Sequence, residues 1–165
     1  MNRSDFKSGV RFAHSHLLIA RLSQPLSGLR HITMIERTAM MAALQETCPE
    51  FAPSCDAFVA EWSDEPELPY YLLLGDFSRY IVGLLVSDDR KQLRAAFDLI
   101  ESFHQDGDAY VREAATIGIL ENIQNTNLHD QTTPDQFVEY LQPISLKYWR
   151  KLYDFWERGT IITDD

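Results

Sequence analysis

From Met34 onward, apolar residues recur at intervals of three and four, and no convincing run alternates at a period of two. This pattern predicts helices and no sheet. Ile35, Thr38, Ala39 and Ala42 line one side of a first helix that opens at Met34 and stops before Pro49, because a residue ahead of proline is pushed out of helical geometry. Phe51, Cys55, Phe58, Val59 and Trp62 form one stripe on a second helix, with Pro53 tolerated in its first turn. Ser63–Pro69 is an acidic loop broken by two prolines. Tyr70–Ser87 is apolar around most of its circumference and is expected to be central.

Ser87 or Asp88 caps a fourth helix whose inward face is Leu93, Ala96, Phe97, Ile100 and Phe103. Gln105–Asp108 breaks the chain, and a fifth helix runs to about Asn125 over Val111, Ala114, Ala115, Gly118 and Leu120 or Ile123. Thr133, Pro134 and Gln136 supply a hydroxyl cap, a first-position proline and a capping-box glutamine. Pro143 ends or restarts that segment. A last helix carries Leu146, Trp149, Leu152, Tyr153 and Trp156 and closes at Gly159. The reading is a single all-α domain over residues 34–159, with about seven helices in antiparallel pairs and residues 160–165 as a tail.

A length of 165 residues suits one domain. Acids outnumber bases by 25 to 15, but unevenly: residues 1–33 carry a net +4 and residues 34–165 a net -14. Such a step marks a boundary, so residues 1–33 read as a basic leader, flexible or lying ahead of a true start at Met34, with a transit peptide as the alternative. Deleting it is expected to leave thermal stability unchanged. The acidity of the rest disfavours nucleic acid as a partner. Tyr70–Val86, the most apolar stretch, has seventeen residues and contains Asp76 and Arg79, whereas a spanning helix needs about 20 apolar residues. No membrane role is expected, and Asp76 with Arg79 reads as a buried pair. Cys48 and Cys55 are too few for a disulfide scaffold, and two unpaired thiols suit the cytoplasm.

Asp108-Ala109-Tyr110-Val111-Arg112-Glu113-Ala114-Ala115 resembles the D-x-x-V-R-x-x-A signature opening the second helix of a HEAT-type repeat. The resemblance implies a HEAT-like helical pair in which Asp108 caps the helix and Val111 and Ala115 face its mate. It also implies that Arg112 reaches an aspartate of a neighbouring repeat. No second copy occurs, which excludes a long solenoid. Cys48-Pro49-Glu50-Phe51, Trp62, Leu74-Gly75-Asp76, Gly107-Asp108, Val111-Arg112 and Phe155-Trp156 together resemble a family of small acidic bacterial proteins of unknown function. Some of that kind sit among immunity proteins of polymorphic toxins, which implies neutralisation of a toxin as a function.

Candidate chemistry is sparse. His14 and His16 could supply two metal ligands but have no acids near them, and His104–Asp108 lacks the acid spacing of a calcium loop. Neither a phosphate-binding glycine loop nor a nucleophile motif is present. No catalytic residue, metal or cofactor is therefore expected. An enzyme using His104 or His129 as general base is the weaker alternative. Phe137, Tyr140, Tyr148, Trp149, Tyr153, Phe155 and Trp156 are read mostly as core, with Lys147, Arg150, Lys151 and Arg158 on a solvated face and Tyr148 partly exposed. The expected function is non-catalytic binding of a basic protein through acidic loops: Asp64, Glu65 and Glu67, Asp88 and Asp89, Asp106, and Asp130, with Tyr148 as a further contact. The alternative is an adaptor that takes a peptide or helix in an apolar groove between helices.

Overall fold

The computed structural model describes residues 34–163. They form seven α-helices and, among the described residues, no strand: α1 Met40–Thr47, α2 Ala52–Glu61, α3 Tyr70–Val86, α4 Arg90–Asp106, α5 Ala109–Glu113, α6 Glu121–Gln124 and α7 Pro143–Arg158. The leader, with His14 and His16, lies outside the described residues. None of the described helices is long and apolar enough to cross a membrane.

The fold is organised around α4. Its apolar stripe, Leu93, Ala96, Phe97, Ile100 and Phe103, is buried as the spacing predicts, and the helix touches α1, α3, α5 and α7. A tight turn at Ser87–Asp89 folds α3 back against it. Asp89 is the cap, accepting from Gln92 N–H at 3.0 Å. The expected caps, Ser87 and Asp88, instead make the turn, in which Asp88 adopts a φ of 60°, a left-handed conformation that aspartate tolerates better than most residues. At the other end of α4, Asp108 caps α5 by accepting from Val111 N–H at 2.8 Å. Arg112 donates to Gly107 O within the same turn at 2.7 Å.

Between α5 and α6 the helix continues without a break as a π-helical segment, Ala114–Leu120. The N–H of Glu121 reaches back five residues to Thr116 O. Within this wider coil Gly118, Ile119 and Leu120 are all buried. Gly118 permits the close approach of α3: a β-carbon there would stand 2.7 Å from Leu74 Cδ1. Tyr71 Oη donates to Glu113 at 3.1 Å, while Leu74 and Ser78 lie against Gly118, so α3 and the Ala109–Gln124 rod run in the same direction with α4 opposed to both.

The first helix begins later than its pattern predicts. Ile35 is extended and pairs in parallel with Gly107, through Ile35 N–H to Asp106 O at 2.7 Å and Asp108 N–H to Ile35 O at 2.9 Å. The guanidinium of Arg37 lies 4.6 Å from the centre of the Tyr110 ring and 5.4 Å from that of Tyr70. A 3₁₀ turn, Arg37–Ala39, then leads into α1. The buried face is accordingly Met40, Leu44 and Cys48, while Thr38, Ala39 and Ala42 are exposed. Phe51, just ahead of α2, and Cys55 and Phe58 within it face inward as predicted, but Val59 is exposed. Thr133–Gln136 makes its capping box, although on a 3₁₀ segment, Pro134–Tyr140. Pro143 starts α7, and Gly159 closes it with a φ of 67°.

Candidate functional site

The expected contact acids separate into two groups. α3 has seventeen residues, which at about 1.5 Å per residue spans roughly 25 Å. Asp64, Glu65 and Glu67 precede it, and all three are exposed. Asp106 belongs to the same end, because α4 returns there. Arg37 links the two, bonding Glu67 at 3.2 Å and donating its backbone N–H to Asp108 at 3.3 Å. Asp88 and Asp89 lie at the opposite end of α3. Asp130 is nearer that end: the ring of its neighbour His129 is 5.7 Å from Phe137, which stacks 6.2 Å from Phe97 in the first half of α4.

Several of these carboxylates are already engaged. Glu67 is held by Arg37, Asp88 by Arg90 at 2.6 Å, and Asp89 caps α4. Asp64, Glu65 and Asp130 are the exposed acids of the set without an ion pair among the described residues. Asp76 and Arg79 do pair, at 2.7 Å, but with side chains 57% and 67% exposed. The expected buried pair is a surface one, because Gly75, Asp76 and Arg79 lie on the face of α3 turned away from α4.

Tyr148 is buried and not partly exposed as its position suggested, with 6% of its surface accessible. Its ring lies flat on the His104 imidazole, 4.8 Å away at 16°. The ammonium groups of Lys147 and Lys151 stand 6.0 and 5.5 Å from that ring. His104 is itself enclosed. Its Nδ1 meets Ile100 O at 2.9 Å and its Nε2 meets Thr116 Oγ1 at 3.0 Å, and burial pushes its pKa down to about 4. His129 is bound to Thr132 Oγ1 and Ile123 O, both at 2.7 Å. Both thiols are in the core, where burial pushes Cys48 and Cys55 up to about 11. Among the described residues no group of three or more His, Cys, Asp or Glu is placed to hold a metal.

A further feature was not legible in the sequence. The π segment, α6 and the last turns of α7 enclose a cleft of about 690 Å³, walled by Ile117, Glu121, Asn122, Tyr153, Trp156 and Glu157, among others. Its most prominent ring is Trp156, 62% exposed, where the helical stripe predicted a core residue. Trp149 and Leu152 on that stripe are buried, and the amide of Gln124, the last residue of α6, donates to Trp149 O at 2.7 Å. The cleft is negative. Neither Glu121 nor Glu157 has a cationic partner among the described residues. Burial raises the Glu121 pKa, and burial followed by the Asp135 and Glu157 carboxylates raises that of Tyr153. Gln124 Oε1, at the same wall, is buried without a hydrogen-bond partner.

No curated protein and no solved structure matches the chain. The family model of the domain of unknown function DUF7674 matches residues 41–157, which take in α2 to α6, nearly all of α1 and α7, and every wall of the cleft, so the chain belongs to that family.

Proposed function

We propose that this domain is a non-catalytic binding module for a basic protein, and specifically an immunity-type protein that neutralises a cationic toxin. The observation that supports this best is the distribution of charge: residues 34–165 carry a net -14, and Asp64, Glu65, Asp130, Glu121 and Glu157 are carboxylates without an ion-pair partner among the described residues. A surface of this kind steers a cationic partner toward it and speeds encounter. The helical frame holds the loops at fixed positions, which suits recognition. The histidines that a general-base mechanism would need are both bonded within the fold, which favours binding over catalysis.

The test is capture of partners on the tagged full chain in its own host, washed at low and then high salt, followed by reconstitution with the purified candidate. Recovery of one basic protein that is released by salt and whose activity the chain inhibits supports the reading. A partner held equally at high salt would favour the adaptor reading, in which apolar contacts between helices carry the affinity.

A further inference from the structure

We propose that the cleft between α6 and the end of α7 receives an arginine side chain of the basic partner, with Trp156 as its stacking surface and Glu121 and Glu157 as its counter-ions. This deepens the reading above and rests on it. Three independent features of the cleft point to the same ligand chemistry. The first is an indole left in solvent at the mouth of a concave site, where tryptophan is the best aromatic surface for a cation. The second is a pair of carboxylates, Glu121 and Glu157, that no described cation neutralises. The third is an amide in the lining: Asn122 Nδ2 is spent on Gly118 O at 2.8 Å, which leaves its side-chain oxygen as an acceptor.

The set is rich in acceptors and flat π surface. A guanidinium matches it better than an ammonium, because it is planar, offers five N–H donors and stacks on rings while bonding carboxylates in its own plane. The volume of about 690 Å³ lies within the range of about 300–1,000 Å³ typical of specific binding pockets. The π segment contributes to the site directly: Ile117 comes from within it, and Glu121 and Asn122 follow at once. Segments of this kind recur at functional positions.

The test uses the full chain and two probes of equal charge, a hexa-arginine peptide and a hexa-lysine peptide, near physiological ionic strength. Binding is followed through the indole N–H signals of Trp62, Trp149 and Trp156 in a ¹⁵N-labelled sample, assigned with Trp→Phe variants. The expected result is a saturable shift of the Trp156 signal with hexa-arginine, at least several-fold tighter than with hexa-lysine. A doubly substituted Glu121→Gln, Glu157→Gln chain should weaken that binding about ten-fold or more without changing the melting temperature. Trp156→Ala, which removes an exposed ring, provides a second variant that does not disturb the core. Equal response to both peptides overturns the assignment to arginine. Binding that moves backbone signals near Asp64–Glu67 or Asp88 but leaves Trp156 unchanged overturns the cleft and leaves the basic-partner reading standing. No binding of either peptide removes both.

Discussion

Glu101 holds Ser145 in place: its carboxylate accepts the Ser145 N–H at 2.8 Å and the Ile144 N–H at 2.9 Å. A side chain in the middle of α4 thus caps the first turn of α7, from a position with 7% of its surface accessible. The free N–H groups and the positive end of the helix dipole both favour a carboxylate there. Glu101→Ala should cost about 2–3 kcal/mol, since it leaves two enclosed donors without acceptors. Glu101→Gln keeps one acceptor and should cost roughly half as much. Denaturant unfolding of the two variants checks both the direction and the order.

His104 makes stability depend on pH. Its folded pKa of about 4 lies below the ordinary value of 6.5, so below pH 6.5 the unfolded chain takes up a proton that the folded chain refuses. Stability should therefore fall as pH drops from about 6.5 toward 4 and level off below that, losing at most about 3 kcal/mol from this group. His104→Phe retains the stack on Tyr148 and should abolish that part of the slope. Melting temperatures of both chains across this pH range are the measurement.

Gly118→Ala sets two effects against each other. A helix gains about 0.5–1 kcal/mol when alanine replaces glycine. The added β-carbon would meet Leu74 Cδ1 at 2.7 Å and Leu74 Cβ at 3.2 Å, and overpacking of this kind costs about 1–3 kcal/mol. The clash should win, giving a net loss of about 1–2 kcal/mol by chemical denaturation.

Asp76→Asn should change stability by less than about 0.5 kcal/mol, since exposed ion pairs contribute little. A loss of several kcal/mol in thermal or denaturant unfolding would show that the Asp76–Arg79 pair is not the surface contact it is here.

The helices were legible where the stripe of apolar residues decided the matter. All five residues expected on the inner face of α4 are buried, and Asp108, Thr133 and Gly159 cap as their chemistry predicts. Legibility failed where long-range contacts override the local pattern. Ile35 fits the helical spacing of Thr38, Ala39 and Ala42, yet it pairs with Gly107 as extended chain. Nothing in Ala114–Leu120 announces a π segment, and its contacts with Leu74 and Ser78 on α3 are long-range ones that the local pattern does not carry. Trp156 shares a stripe with Trp149 and Leu152, and its exposure at the cleft depends on packing that the stripe alone does not show. The exposure of Asp64, Glu65 and Asp130 was legible in the sequence, because a loop acid that caps no helix and meets no cation stays in water. Glu121 and Glu157 were missed because they become neighbours of one cleft only through the packing of α6 on α7.

The most direct measurement of the central claim is the association rate of the full chain with its captured basic partner across ionic strength. Electrostatic steering requires the rate to fall steeply, by ten-fold or more, between roughly 0.02 and 0.5 M salt, while dissociation changes much less. An association rate that does not respond to salt would contradict an acidic recognition surface.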